Sequence, residues 1–182
     1  MTRIVFLNGV GSAGKGSIAK ALQTLTVSPF LHVSMDVFCE MLPAAYFDHP
    51  DGFIFETTAE NDHPSVVIKT GVVGQRLLRG MRHAVAAMAA EGNDMIVDEV
   101  LLGAEKAEYR QLLAPFQVHW VGVFASLDVL EERERQRGDR LIGLARWQFD
   151  RVHKDMRYDL EIDTSKATAL ECAEAIKRKF GL

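Results

Sequence analysis

Apolar and amphipathic stretches alternate along the chain and predict alternating strands and helices. Apolar residues at helical spacing indicate helices, first over residues 15–25 and most clearly over residues 75–91. Further helical stretches are expected from residue 37, over residues 109–113 and 147–156, before Gly138 and at the C-terminus. Five short apolar runs predict buried strands at residues 4–7, 31–34, 95–98, 118–124 and 159–162. This alternation favours an α/β fold in which a parallel sheet is covered by helices on both faces.

One long segment, residues 43–70, does not follow this alternation. Within it, residues 53–56 and 66–69 predict a small hairpin. Aromatic side chains are interspersed with charged ones along the segment: Tyr46, Phe47, Phe53 and Phe55. A segment of this length between core elements is usually functional. Two interpretations are open: the aromatic side chains wall a pocket for an aryl or apolar substrate, or they form the small core of an inserted flap.

The first predicted strand is followed by a glycine-rich turn, residues 9–14, and then by Lys15 and a helix. Glycines let backbone N–H groups converge on an anion without obstruction by side chains, and they permit positive φ. The helix N-terminus adds unpaired N–H groups, and Lys15 adds a full charge able to bridge β- and γ-phosphates. This strand–GxxxxGK–helix pattern predicts a nucleotide phosphate loop. The residues expected to bind the phosphates are Gly9, Ser12, Ala13, Gly14, Lys15, Gly16 and Ser17.

The loop differs from the common pattern at one position, where Gly16 replaces the serine or threonine that usually contacts Mg²⁺. The order Gly16-Ser17 is similar to the loop of adenylate kinases, in which glycine is followed by threonine. This similarity implies that Ser17 contacts a phosphate and that Mg²⁺ is held elsewhere, partly through water. Because the loop departs from the common pattern, the metal geometry stays open, and both Ser17 and the downstream Asp98 are candidate metal ligands on this chain.

Two acidic residues lie at the carboxyl ends of predicted strands, where ligands bind in open α/β sheets. Asp36 follows the second strand and is either a catalytic base or a helix N-cap, and the two roles are compatible. Asp98 ends the third strand downstream of the phosphate loop. This position favours a residue that orients Mg²⁺ and its waters over one that makes only a structural hydrogen bond.

An arginine-rich segment follows the fourth strand and ends at Arg140. Its interleaved glutamates are typical of a salt-bridged surface helix. However, Arg137 and Arg140 flank a turn at Gly138, where arginine side chains can swing over a bound phosphate. We therefore expect a lid around residues 133–145, with Arg133 on the same helix face as Arg137.

Two further residues are candidates for contact with a nucleotide. Arg133 is one, because it shares a helix face with the lid arginine Arg137. Thr164 is the other, because a polar loop after the last strand can border the adenine in this kind of fold. The alternative is that Thr164 or Ser165 caps the final helix.

Composition and charge limit the cellular compartment and the kinds of partner that we expect. The 182 residues suit one α/β domain, and the hydrophobic content of 48% is ordinary for a globular protein. A formal net charge of −4 argues against a broad nucleic-acid surface. The two cysteines, Cys39 and Cys172, show neither the spacing of a metal site nor a disulfide framework. The sequence shows no evident signal peptide and no apolar run long enough to cross a bilayer. We expect a cytoplasmic protein that binds neither nucleic acid nor a membrane, and a homo-oligomer is compatible with the sequence.

Motifs along the whole chain together resemble the chloramphenicol phosphotransferase family. The most specific are the Arg137-Gly-Asp-Arg140 block and the setting of Asp36 with Glu40 and Pro43. The others are Leu7-Asn-Gly9 with Ser12-Ala-Gly-Lys15, Ile96-Val-Asp98 with Leu102-Gly103, Trp120-Val-Gly-Val123, Val152-His153, Tyr158-Asp159 and Asp163-Thr164.

The resemblance implies a three-layer P-loop NTPase fold of the nucleotide-kinase type with a five-stranded parallel sheet. It implies ATP as the phosphate donor and a primary hydroxyl of chloramphenicol as the acceptor, which is antibiotic inactivation. It further implies that Asp36 accepts the proton of this hydroxyl. In that mechanism Mg²⁺ lies near Asp98, and Arg137 and Arg140 stabilise the moving phosphoryl group.

Two features depart from the family pattern. The family loop has serine and then glycine after the lysine, whereas this chain has Gly16 and then Ser17, and residues 43–70 match only loosely. Two other functions therefore stay open. One is a kinase for a nucleoside, nucleotide or sugar acid, and the other is a non-catalytic module whose nucleotide state controls a partner.

Overall fold

A five-stranded parallel sheet forms the centre of the computed structural model, which describes residues 1–60, 62–138 and 141–182. The strands are β1 (Arg3–Gly9), β2 (Leu31–Ser34), β3 (Phe53–Glu60), β4 (His63–Thr70), β5 (Met95–Glu99), β6 (Gln117–Phe124) and β7 (Leu160–Asp163). The sheet has the order β2-β5-β1-β6-β7, and its paired strands are all parallel. The predicted α/β fold with a five-stranded parallel sheet is confirmed.

Helices cover both faces of the sheet and create three layers. The helices are α1 (Lys15–Leu25), α2 (Met35–Cys39), α3 (Val72–Ala90), α4 (Glu105–Leu112), α5 (Leu127–Arg137), α6 (Leu144–Val152) and α7 (Ala169–Phe180). One core contains Ile18 of α1 and Ile176 of α7, and the core on the other face contains Met81 of α3 and Tyr109 of α4. Within the described parts of the chain, no helix combines the length and apolar character needed to cross a membrane.

The central strand β1 places the glycine-rich loop in the middle of the sheet's carboxyl edge. From Ile4 to Gly9 every residue of β1 is buried, as expected for a strand covered on both faces. In the sheet register, Asp98 of β5 lies beside Leu7 of β1 on one side and Ser34 of β2 on the other. The end of β5 therefore lies between the loop that follows β1 and the helix that follows β2.

The strands β3 and β4 form an antiparallel hairpin outside the main sheet, longer than the predicted one but at the same place. The hairpin is attached to the segment before α6, because the N–H of Val66 donates to the carbonyl of Gly143 at 3.0 Å. Gly143 has φ 104°, and an added Cβ would lie 2.5 Å from the carbonyl oxygen of Pro64. Only glycine permits this close approach of the two backbones.

Several helices begin earlier than predicted, and for α6 the reason is a cap supplied by another helix. The Glu134 carboxylate accepts from the N–H groups of Gly143 at 2.7 Å and Ala145 at 2.9 Å, so α6 begins at Leu144, earlier than predicted. α2, α3 and α4 also begin earlier than predicted.

The alternative that Thr164 or Ser165 caps the final helix is wrong. Thr168, rather than Thr164 or Ser165, caps the helix, and it forms a reciprocal capping box with Glu171. Thr164 is buried and uses its hydroxyl elsewhere, on the phosphate loop.

Candidate active site

The turn between β1 and α1 leaves the N-terminus of α1 open to an anion. Ser12 and Gly14 adopt left-handed backbone conformations, with φ of 64° and 88°. Gly14 is the N-cap of α1 and no side chain caps the helix, so its first N–H groups stay available. Glycine is also required at position 9, where an added Cβ would lie 2.4 Å from the carbonyl oxygen of Val123. This geometry suits the binding of a phosphate group.

Lys15 is folded back over the loop. Only 6% of the residue is exposed, and its Nζ donates to the carbonyl oxygens of Gly9 at 3.0 Å and Val10 at 3.1 Å. The same Nζ lies 3.6 Å from Oδ1 of Asp98. The ammonium group is therefore held between the loop and the end of β5, where a bound polyphosphate would meet it.

Asp98 is an ionised carboxylate in a largely buried setting. Its Oδ2 lies 3.6 Å from Nε2 of His32, on the neighbouring strand β2. Burial opposes ionisation, but the positive charge of Lys15 and the neighbouring His32 outweigh it and lower the pKa of the Asp98 carboxyl below its usual value. Such a group can bind a cation without first losing a proton.

The surroundings of Asp98 fit a magnesium ion that is held mainly by phosphates and water. An alanine-type Cβ at Gly16 would lie 3.5 Å from Oδ2 of Asp98, so the glycine leaves open space between the carboxylate and α1. Ser17 lies in the first turn of α1. Among the described residues no group of three or more histidine, cysteine, aspartate or glutamate residues could hold a metal ion. Mg²⁺ commonly binds in this way, through one or two protein ligands.

A smaller cavity of about 410 Å³ lies on one side of the loop. Thr164 is fixed against the loop, since its hydroxyl donates to the carbonyl of Ala13 at 3.0 Å. Arg133 of α5 donates to the hydroxyl oxygen of Thr164 at 2.9 Å and to its carbonyl at 2.8 Å. The lining includes the predicted nucleotide-binding residues Ser12, Gly14, Ser17, Arg133 and Thr164.

A larger cavity of about 980 Å³ lies on the other side of the loop. It begins at the phosphate loop and at Asp36 in the first turn of α2. Its far wall is aromatic and comes from the hairpin, the segment before it and α6: Phe47, Phe53, Phe55 and Trp147. Charged residues also line it: Arg82, Glu99 and Glu105. Burial raises the pKa of the Glu99 carboxyl to about 7.

The arginine predicted to contact the moving phosphoryl group lies where the two cavities meet. Arg137, the last residue of α5, lines both cavities and has a partner in the structure. Asp36 also has a partner and lines the larger cavity. Arg140 lies outside the described residues. The structure therefore brings together Lys15, Asp36, Asp98 and Arg137 around one loop.

Two buried polar residues of the site were missed by sequence reasoning. Gln148 shares the buried face of α6 with Ala145 and Val152, and its Oε1 accepts from the N–H of Gly11 at 2.7 Å. Glu134, which caps α6, occupies the buried face of α5 together with Leu130. In both helices the available signal was a polar residue at helical spacing from apolar ones.

A hydrogen-bonded network behind the loop connects β1 to α6 and the segment after it. Asn8 donates to the carbonyl of Val152 at 3.0 Å and to the hydroxyl of Tyr158 at 2.7 Å, and it accepts from the N–H of Leu101 at 2.9 Å. The hydroxyl of Tyr158 lies 2.8 Å from Nδ1 of His153. Burial, together with nearby lysine charges, lowers the pKa of His153 to about 4. His153 is therefore a neutral structural residue near pH 7.

Solved structures with this fold include several kinases. A sugar kinase from Janibacter sp. HTCC2649 superposes with a TM-score of 0.70 at 18% identity, over 100% of this chain and 95% of that one. The APS kinase of Mycobacterium tuberculosis gives 0.68 at 15% identity, over 100% and 98%. A tunicamycin resistance protein of Deinococcus radiodurans gives 0.64 at 18% identity, over 100% and 97%. These likenesses show that the fold is that of P-loop kinases.

Sequence comparison extends the likeness to a family. Two curated relatives from Mycobacterium tuberculosis strains, each named "Putative O-phosphotransferase", are 28% identical over 184 residues. The match covers 98% of this chain and 82% of each relative. The profile of the family described as chloramphenicol phosphotransferase-like protein matches residues 2–181. The chain therefore belongs to the chloramphenicol phosphotransferase-like family.

Proposed function

We propose that the protein is an ATP-dependent O-phosphotransferase whose acceptor is a hydroxyl of chloramphenicol or of a similar small compound. The observation that carries this proposal is the larger cavity, which joins Lys15 and the phosphate loop to Asp36 and then to an aromatic wall. A phosphoryl donor on the loop and an apolar hydroxyl compound in the cavity would meet beside Asp36. The family description and the names of the relatives support the same reaction class.

At phosphorus, the reaction forms one bond and breaks one. The acceptor oxygen attacks the γ-phosphorus of ATP, the bond to the β–γ bridging oxygen breaks, and ADP leaves. Asp36 orients the hydroxyl and accepts its proton. Negative charge develops on the phosphoryl oxygens and on the leaving group, and Lys15 and Arg137 supply positive charge there. Mg²⁺, for which Asp98 and Ser17 are the candidate ligands, would neutralise phosphate charge.

The smaller cavity is the proposed site of the nucleoside part of ATP. It adjoins Ser12, Gly14 and Ser17, so a nucleotide lying there would reach the loop with its phosphates. Arg133 and Thr164 form its wall, and their mutual hydrogen bonds fix both side chains in place. This arrangement leaves the larger cavity to the acceptor.

A second candidate acceptor is a polar hydroxyl metabolite such as a nucleoside, nucleotide or sugar acid. The observation that favours it is the charged part of the larger cavity, where Arg82, Glu99 and Glu105 line the wall. Arg82 donates from Nε to Glu108 at 2.6 Å, which fixes its guanidinium at the cavity wall. Charged walls of this kind suit a substrate with hydroxyl or anionic groups beyond the one that reacts.

The decisive experiment measures ATP consumption by the purified protein with Mg²⁺, with and without chloramphenicol, and follows the antibiotic by mass spectrometry. Chloramphenicol heavier by one phosphoryl group is the expected product. If chloramphenicol is not phosphorylated, a panel of nucleosides and sugar acids tests the second candidate. Nucleotide binding without acceptor-dependent turnover on any of them would contradict the proposed function.

The role of Asp36 is tested by Asp36→Asn. Loss of the base is expected to lower kcat by about 100-fold or more while nucleotide binding is retained. The matched control is Asp128→Asn, which removes a carboxylate from the first turn of α5, as Asp36→Asn removes a carboxylate from the first turn of α2. If Asp36→Asn transfers the phosphoryl group as fast as the wild type, Asp36 has only a structural role at the start of α2.

A further inference from the structure

Gln148 is a buried polar residue that has no role in the reaction steps proposed above. It is only 3% exposed and lies on the core-facing side of α6 between Ala145 and Val152. Burying a side-chain amide is costly unless its polar atoms have partners. An apolar residue would pack equally well on this face, so packing alone does not account for the amide.

The carbonyl end of the Gln148 amide is fixed by the phosphate loop. Oε1 accepts from the N–H of Gly11 at 2.7 Å. An added Cβ at Gly11 would lie 3.2 Å from this oxygen, so glycine gives the amide room to approach the backbone. One N–H of the loop is therefore occupied by a neutral side chain of the protein itself.

The nitrogen end of the same amide has no such partner. Within the described parts of the chain, Nε2 of Gln148 donates to no other residue. This nitrogen is also not fully sealed from solvent. Gln148 lines the larger cavity, together with Lys15 and Asp36. With Oε1 held on the loop, the two N–H groups of Nε2 are thus presented to that cavity.

The position of Gln148 along the loop indicates which phosphate it would meet. Gln148 and Gly11 both line the larger cavity, and neither lines the smaller one. If the nucleoside occupies the smaller cavity, Gln148 lies at the opposite end of the polyphosphate, near the γ-phosphate and the acceptor hydroxyl. A donor at this point meets oxygens on which negative charge is spread during transfer.

We propose that Gln148 donates a hydrogen bond from Nε2 to the transferred phosphoryl group and is a catalytic residue of the proposed phosphotransferase. This inference rests on the proposed function. A glutamine suits the position because it cannot take the acceptor proton, which is left to Asp36. Its neutral amide also forms no ion pair with that carboxylate. The bond from Gly11 fixes which end of the amide faces the phosphate.

Two substitutions separate this role from a purely structural one. Gln148→Glu keeps an oxygen that accepts from Gly11 but removes the donor and adds negative charge. Gln148→Met keeps the approximate size and removes both interactions. If Gln148 only fastened α6 to the loop, Gln148→Met, which loses the contact with Gly11, would be impaired more than Gln148→Glu, which keeps it. We expect kcat to fall by about 100-fold for Gln148→Glu and by about tenfold for Gln148→Met, with the acceptor KM unchanged within about twofold.

A binding measurement tests the same contact without turnover. Both variants are expected to bind ADP like the wild type and to bind AMPPNP, which retains a γ-phosphoryl group, about tenfold more weakly. Gln111→Glu, an exposed position on α4, is the matched control for the change of an amide to a carboxylate. Thermal unfolding of each variant confirms that the fold is intact.

The outcomes distinguish this inference from the proposed function. A wild-type kcat for Gln148→Glu, or an equal loss of ADP and AMPPNP affinity, would overturn the role of Gln148. If the wild type binds AMPPNP but phosphorylates no acceptor, the proposed function fails. The ADP and AMPPNP affinities then still decide whether Gln148 contacts the γ-phosphoryl group.

Discussion

The two cavities beside the phosphate loop are built in different ways. The smaller cavity is walled by segments that follow strands of the central sheet, and Thr164 is bonded directly to the loop carbonyl of Ala13. Part of the wall of the larger cavity comes from a separate hairpin, β3–β4, which is bonded to the backbone of Gly143. The difference indicates that the proposed donor side is fixed by the sheet, whereas the proposed acceptor side can change with the hairpin while the loop stays the same.

The largest effect on this comparison is expected from Gly143→Ala, which breaks the attachment of the hairpin. The backbone there has φ 104°, and the new Cβ would lie 2.5 Å from the carbonyl oxygen of Pro64. Strain and the clash together are expected to lower the free energy of unfolding by about 3 kcal/mol. Urea unfolding measures the loss, and the acceptor KM is expected to rise more than the nucleotide KM.

Gly138→Ala is the matched control for this substitution. Gly138 also has a positive φ, of 68°, but an added Cβ there would meet none of the described residues within 4 Å. This variant is expected to lose only about 1 kcal/mol, the cost of the left-handed backbone alone. Equal losses for the two variants would show that the contact with Pro64 does not fasten the hairpin.

The parts of the site that depend on neighbouring residues along the chain could be predicted from the sequence. The strand, the glycines and Lys15 follow one another, so the loop was recognisable. The capping box of Thr168 and Glu171 was equally local and was overlooked. The start of α6 was not predictable in this way, because its capping carboxylate, Glu134, comes from α5. Such contacts depend on how helices pack, which local patterns do not contain.

The same limit applies to the larger cavity, which is the proposed acceptor side. Two apolar runs in the sequence predicted the hairpin. Its contact with Gly143 depends on how the chain packs and could not be predicted in this way. Gln148 was visible only as a polar residue on a buried helix face, without its partner Gly11. The predicted roles of Asp36 and Arg137 stay predictions, and the predicted role of Arg140 concerns a residue outside the described ranges.

A smaller effect is expected from the network behind the loop, which supports both sides of the site. His153 has a pKa of about 4 in the folded protein, below the value near 6.5 of an unfolded chain. Between these values the unfolded state binds the proton and the folded state does not, so stability is lost as pH falls from about 6.5 to 4. The loss is expected to be about 2 kcal/mol, less than the whole shift because the ring is partly exposed.

His153→Gln removes this titration and keeps a group that can bond the Tyr158 hydroxyl. Urea unfolding at pH 7 and at pH 4.5 should show a smaller loss of stability for the variant than for the wild type. His63→Gln, at an exposed position at the start of β4, controls for the removal of an imidazole. Parallel pH profiles of the wild type and His153→Gln would refute a buried neutral histidine.

The smallest effects are expected from a pair of substitutions that test whether the two cavities act separately. Thr164→Val keeps the side-chain shape but leaves the carbonyl of Ala13 and the guanidinium of Arg133 without the hydroxyl, so the nucleotide KM should rise about tenfold. Phe55→Leu removes part of the aromatic wall, so the acceptor KM should rise by a similar factor. In each variant the other KM is expected to stay within about twofold of the wild type. Steady-state kinetics with each substrate varied in turn measures both, and a rise of both constants in both variants would mean that the loop transmits changes between the cavities.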